Sequence, residues 1–512
     1  MNSSNFSQLG IRISLEAESL LNSRQDKEDI VKRLLNSGKV FVDLTDIENE
    51  IAGTPDLIRN TDVQDSQEPQ PVSLNNPSNS NDSLNSNAEV RSHDFFHPAA
   101  KEYSSDFKIV HSREVTGKSR TTGSADDFVA YFRNRYERLA RILRLGRSNL
   151  PLIDLVNIKK FVNQEVRIIV MVIEVAKTKK GNILVTAEDL SGSFKIVFSH
   201  GGQGRDNEKM FENAGRILVD DVISISGKVL EPYIIAKEFE WPDIPITHQR
   251  KFAENDVSAV YLSDIHFGSR YFLDKYFELF VDWLQGKGEA KDIAGKVKYL
   301  FISGDIVDGI GIYPNQEKEL IIKDVFKQYE MFRDFVEQVP DYIEIFVCPG
   351  NHDAVRRGEP MPALGKEFVG DRVNSLGNPS TLIVEGIKHV MYHGTSIDSL
   401  IATIPNCSYN HPEKVMVEYL RRRHLSTIYG GNPIVPEKVD YMVLEEEPDV
   451  LHCGHVHKNG YTQYRGTLLI NSGTFQDRTE FQIKQGHVPT PCLIPVCDLK
   501  TGKLRTLDFK SS

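Results

Sequence analysis

The feature that most constrains this fold is a repeated pairing of a short apolar run with a polar residue able to bind metal. Val257 to Leu262 leads to Asp264 and His266. Tyr299 to Ile302 leads to Gly304-Asp305-Ile-Val-Asp308, and Ile343 to Cys348 leads to Gly350-Asn351-His352-Asp353. His389 to Tyr392 runs into His393-Gly394, and Asp449 to His452 into Gly454-His455-Val456-His457. Runs of this length read as buried strands, and stretches such as Phe272 to Leu284 read as helices between some of them. Alternating strands and helices predict a layered α/β domain, in which ligands bind outside the carboxyl ends of the strands. Five segments would then deliver carboxylate, amide and imidazole groups to one crevice.

Those donors suit a pair of hard-to-borderline divalent ions, and sulfur is absent from the set. A carboxylate such as Asp305 can bridge two ions about 3.5–4 Å apart, an arrangement that activates water for in-line attack at neutral pH. Glycines before Asp305, Asn351 and His455 permit the tight turns that project such ligands from strand ends. His452 reads as a strand or supporting residue, and Cys453 as a small packed one.

Asp-x-His, Gly-Asp-x-x-Asp, Gly-Asn-His-Asp, His-Gly and Gly-His-x-His, in that order, resemble the five motifs of the calcineurin-like metallophosphoesterases, over roughly 256–509. The resemblance implies one metal held by Asp264, His266, Asp305 and His457, and a second by Asp305, Asn351, His393 and His455. It implies that His352 contacts the scissile phosphate and can protonate the leaving oxygen, while Asp308 and Asp353 support the ligands from behind. Mn²⁺ is the expected ion, with Fe²⁺, Zn²⁺, Ni²⁺ or Mg²⁺ as alternatives.

The remaining chain suggests which phosphoesterase this is. At 512 residues, length alone predicts about three domains. The periodicity within 12–36 predicts a small helical domain over 1–55. The Ser/Asn-rich composition of 56–123 predicts a disordered linker. Ser124-Ala-Asp-Asp127 predicts a capped helix over 124–148, with an apolar stripe of Phe128, Phe132, Tyr136, Leu139 and Leu143. Its other faces carry Arg133, Arg135, Arg138, Arg141, Arg144 and Arg147, read as a solvated face before a nucleic-acid contact. Short β-rich runs over 149–250 predict an OB-like barrel. Its few aromatics, Phe194, Phe198 and Tyr233, fit a structural or docking role at least as well as single-strand binding. The predicted fold class is therefore α/β: a layered β-sandwich metallophosphoesterase domain over 251–512, preceded by the barrel and the helical domain.

This architecture resembles the B-subunits of replicative DNA polymerases. With every metal ligand intact it is similar to the small subunits of the archaeal family-D enzymes. That resemblance implies a 3′→5′ proofreading exonuclease acting on single-stranded DNA ends. The implied partners are a large catalytic polymerase subunit, DNA and a sliding clamp, although no clamp-binding peptide is evident. Arg421, Arg422 and Arg423, near the motifs, are read equally as a phosphate-backbone contact and as a docking surface or solvated helix end. The competing readings are a non-catalytic scaffold, as in relatives lacking the ligands, and a phosphatase or cyclic-nucleotide phosphodiesterase.

Net charge of 61 − 72 = −11 argues weakly against nonspecific polyelectrolyte binding and leaves local basic patches open. No apolar run approaches membrane length and the first residues lack a signal pattern, so a cytoplasmic protein is expected. Cys348, Cys407, Cys453, Cys492 and Cys497 contain no Cys-x-x-Cys pair, which predicts neither disulfides nor structural zinc.

Overall fold

The computed structural model describes residues 96–146, 148–201 and 205–511, together with the short strands Arg12–Ile13, Phe41–Val42 and Val72–Ser73. The chain divides into two units, Met1–Glu68 and Pro69–Ser512. Within the first unit, Arg12–Ile13 pairs in parallel with Phe41–Val42. The helical expectation for 1–55 otherwise lies outside the described residues.

In the second unit, strands Glu165–Lys177, Ile183–Asp189, Gly192–Phe198, Tyr233–Glu240 and Val222–Leu230 close into a barrel in that spatial order. All neighbours are antiparallel except Gly192–Phe198 with Tyr233–Glu240. This is the five-stranded OB-like arrangement. Alternation drives it: Ile183, Val185 and Ala187 point inward while their neighbours are more exposed. Phe198 is wholly buried in the barrel core.

The helix Ala125–Arg144 begins at the expected capping box. The Asp127 backbone N–H donates to Ser124 Oγ and the Ser124 N–H donates to the Asp127 carboxylate. Its arginines depart from the expected solvated face. Arg135 is fully buried, donating to Asp440 Oδ2 at 2.8 Å and to the Thr427 carbonyl at 2.7 Å. Arg138 is buried too and donates to Glu445 Oε1 at 2.8 Å, whereas Arg133, Arg141 and Arg144 stay exposed. Leu139 and Leu143 pack with barrel residues Ile169 and Met171 and with Val443. The helix therefore ties the barrel to the C-terminal domain.

That domain is built on two sheets. The seven-stranded sheet runs Val373–Ser375, Glu344–Cys348, Val297–Ser303, Ser258–Leu262, Leu493–Asp498, Leu504–Asp508 and Val72–Ser73. The six-stranded sheet runs Gly460–Tyr464, Thr467–Asn471, Val450–Cys453, Ile387–Met391, Ser380–Val384 and Phe107–Ile109. One core of Tyr261, Phe301, Phe346, Met391 and Ile470 joins residues of both sheets. Helices Asp274–Leu284 and Val325–Gln338 pack with residues of the first sheet, and Ile397–Thr403 and Pro412–Arg422 with residues of the second. Among the described residues no helix is long and apolar enough to cross a membrane.

The expected linker needs correction over its second half. Phe107–Ile109 adds an antiparallel edge strand to Ser380–Val384, and the Phe107 ring meets Phe346 edge-on at 5.1 Å. Glu114 accepts the Gly377 N–H at 2.7 Å, and Ala100 and Val115 are buried. Average composition concealed this because a few apolar residues, each seated on an existing core, suffice when the sheet edge satisfies the backbone.

Candidate metal centre

Each motif begins just past the end of a strand, where the backbone turns sharply. Asp264, His266, Asp305, His455 and His457 all have positive φ, between 51° and 71°. Non-glycine residues adopt that region at a cost and concentrate at functional sites. Two glycines make the closest approach possible. A Cβ on Gly304 would lie 2.6 Å from the Gly350 nitrogen, and one on Gly350 would lie 2.2 Å from Asp305 Oδ1.

These turns bring the five segments together. His266 Nε2 and His457 Nε2 face each other at 3.0 Å, and Asp264 Oδ1 lies 3.5 Å from the latter. On the other side, His393 Nε2 and His455 Nδ1 each lie 3.0 Å from Asn351 Oδ1. Asp305 Oδ2 stands between the two groups, 3.9 Å from His266 Nε2 and 3.3 Å from His393 Nε2. The outer carboxylate oxygens are occupied by backbone: Asp264 Oδ2 accepts the His455 N–H and Asp305 Oδ1 the His352 N–H, each at 2.9 Å. The inner oxygens therefore face the centre.

Ring orientations are set from behind. His266 Nδ1 lies 3.1 Å from Asp308 Oδ1, and Asp308 also accepts hydrogen bonds from the Gln316 and Gln476 amides. His393 Nδ1 donates to the Ser303 carbonyl at 2.8 Å, leaving Nε2 for the centre. His455 Nε2 lies 2.9 Å from Asp398 Oδ2, and His457 Nδ1 2.9 Å from the Gln482 amide. Asp353 accepts from the Gly350 N–H and the Tyr329 hydroxyl, bracing the Gly350 turn. His452 is held within its strand between the hydroxyls of Ser303 and Ser472, away from the cluster.

Burial and mutual charge spread the titrations of these groups. Burial, and then repulsion from Asp305 against the pull of His393, pushes the Asp264 carboxyl up to about 6. Burial also opposes charge on Asp305, yet His393 and His352 hold that carboxyl well below the usual range. Burial works against charge on His393 as well, but Asp305 drives it up to about 10. The site thus demands positive charge beside its carboxylates. Asp264 Oδ1, buried and without a hydrogen-bond partner, demands it most directly. Two aspartates, an amide oxygen and four imidazoles are the donor chemistry of borderline divalent cations, so the residues fit a metal pair.

A cavity of about 250 Å³ opens onto this cluster and is lined by His352, Tyr313, Asp398, Tyr409, Phe481 and His487 among others. His352 Nδ1 donates to the Asp308 carbonyl at 2.7 Å, which turns Nε2 to the ligand side, 3.9 Å from Asp305 Oδ2. Asp398, Gln316, Gln476 and Gln482 were not anticipated as supports. Asp398 had a faint signal as an acid five residues beyond His393, and the glutamines had none.

Arg421, Arg422 and Arg423 are not among the residues that line the cavity. Arg422 is buried against Asp221 at 2.9 Å and pairs with Glu418; Arg423 is buried and pairs with Glu447. Arg421 lies over the Trp241 ring of the barrel and also pairs with Glu418. Glu418 in the same helix, Glu447 and the distant Asp221 engage the cluster, and Asp221 and Trp241 tie it to the barrel.

Residues 258–459 match the calcineurin-like phosphoesterase family, which agrees with the strand-end cluster and defines the class of this domain. Similarity extends beyond the domain. The DNA polymerase II small subunit of Archaeoglobus fulgidus is 42% identical over 386 residues, 74% of this chain and 76% of that protein. Those of Methanocaldococcus jannaschii and Methanothermobacter thermautotrophicus are 38% and 37% identical, covering 79% and 80% of this chain and 69% and 84% of those proteins. The chain belongs to the archaeal DNA polymerase II small-subunit family.

Proposed function

We propose that this chain is the nuclease subunit of a replicative DNA polymerase, hydrolysing the terminal phosphodiester of single-stranded 3′ ends. The observation that carries the reading is the convergence of Asp264, His266, Asp305, Asn351, His393, His455 and His457, with Asp264 Oδ1 buried and without a hydrogen-bond partner. Asp264, His266, Asp305 and His457 would hold one divalent ion, and Asp305, Asn351, His393 and His455 the other, with Mn²⁺ the proposed metal. Such a pair supplies Lewis-acid stabilisation of the phosphate and water activated near neutral pH.

His352 carries the protein's own part of the chemistry. Its Nδ1 is committed to the Asp308 carbonyl, so Nε2 can hydrogen-bond the scissile phosphate and pass a proton to the departing 3′ oxygen. Burial lowers its pKa, with Asp305 pulling the other way, so the free ring is mainly neutral; an incoming phosphodiester anion favours its protonated form. Family membership supports a large polymerase subunit as partner, and a sliding clamp belongs to the same reading.

The test is degradation of 5′-labelled single-stranded DNA in Mn²⁺ by wild type and His352→Ala. A ladder shortening from the 3′ end, lost in the variant, is the expected result. Cleavage at wild-type rate in the variant would overturn the role of His352.

A further inference from the structure

One wall of the cavity carries aromatic rings that the hydrolytic chemistry does not use. Tyr313 and Phe481 stack with centroids 5.8 Å apart and planes 28° apart, and both line the cavity. The Tyr313 ring stands 6.2 Å from that of His352. Phe481 is 48% exposed, although the helix that carries it, Glu480–Gln485, is firmly placed. Thr479 caps that helix, and its Gln482 amide lies 2.9 Å from His457 Nδ1. The Tyr313 hydroxyl donates to Glu319 at 2.9 Å, so its polar end is already satisfied.

A fixed, half-exposed ring at the mouth of a phosphoesterase cavity calls for a planar ligand. A phosphate held at His352 leaves its attached nucleoside about one ring's reach away, where this pair stands. Every nucleobase has a π face, so stacking tolerates any sequence, as removal of arbitrary 3′ nucleotides requires. We propose that Phe481, backed by Tyr313, is the stacking platform for the base of the 3′-terminal nucleotide, and that it makes the site prefer nucleic-acid ends to small phosphoesters. This rests on the exonuclease reading and names the part of the substrate that the metal cluster does not recognise.

The test reads binding without turnover. Full-length protein is titrated by fluorescence anisotropy against a 5′-labelled oligothymidylate whose last linkage is a phosphorothioate, ending in either a normal or an abasic nucleotide. Wild type should bind the normal end roughly tenfold more tightly, the scale of one base–aromatic stack. Phe481→Ala and Phe481→Leu should lose that preference, and Phe481→Trp should keep it. Equal wild-type affinity for both ends overturns the platform, as does a preference that survives in the alanine and leucine variants. If Phe481→Leu weakens both ends alike and retains the preference, the ring is structural or faces a protein partner, and the proposal falls. Failure of wild type to shorten the same oligonucleotide with ordinary linkages would instead defeat the exonuclease reading, leaving the binding preference to judge the platform separately.

Discussion

Asp305 is held in a left-handed conformation, φ 51°, that costs about 1–3 kcal/mol. The surrounding structure over-determines it through the His352 N–H and the Gly304 and Gly350 turns. Residues around the cluster divide by what they touch. His352 faces the cavity with a ring nitrogen within 4.8 Å of donor atoms of His266 and Asp305, and its Nδ1 is committed to the Asp308 carbonyl. As the group that meets the phosphate, His352→Ala should lower kcat about 10²–10³-fold while metal content, read by atomic spectroscopy, stays at wild-type level. Among the converging donors Asp398 touches His455, and it also pairs with the Tyr409 hydroxyl. Asp398→Asn should weaken metal affinity by about 10–100-fold, measured by chelator competition, and excess metal should restore hydrolysis. Unchanged affinity would remove Asp398 from the site.

Among elements, the helix Ala125–Arg144 shows where reading a sequence succeeds and where it stops. Its start was legible because a capping box is a local contact among Ser124 to Asp127. The fate of Arg135 was not, because Asp440 lies 305 positions away. The same contrast separates the metal motifs from their supports. Strand ends bring successive segments to one edge, so ordered Asp, Asn and His residues announce a cluster. Gln316, Gln476 and Gln482 acquire meaning only from tertiary packing, and Phe107–Ile109 only from the sheet edge it joins. The buried pair gives a prediction at this scale. Arg135→Ala leaves Asp440 without its guanidinium and should destabilise the protein by about 3–5 kcal/mol, read by denaturant unfolding. A change within experimental error would mean that the helix is not anchored there.

At the largest scale, the joint between the helix Ala125–Arg144 and the phosphoesterase domain is a network of buried ions and hydrogen bonds that titrates. His424 lies 2.9 Å from Asp440 through Nε2 and accepts the Ser426 N–H at Nδ1, so it is buried neutral. Burial, with the charge of Arg135, lowers its pKa to about 4. The unfolded chain binds this proton near pH 6.5, so His424 makes the fold lose stability as pH falls from about 6.5 to 4, and makes no such demand above that window. Between pH 7 and pH 4.5 the stability advantage of wild type over His424→Gln should shrink by roughly 2–3 kcal/mol. An advantage constant with pH would show that His424 is not buried neutral.

The central claim concerns Asp305, whose Oδ2 is placed between both halves of the cluster. The most direct measurement pairs metal content with 3′-end hydrolysis of 5′-labelled single-stranded DNA for wild type and Asp305→Asn. Wild type should hold two divalent ions per chain and produce a ladder; the variant should lose metal and the ladder together while its circular dichroism stays native. Full hydrolysis at full metal occupancy in the variant would contradict a shared metal centre at this site.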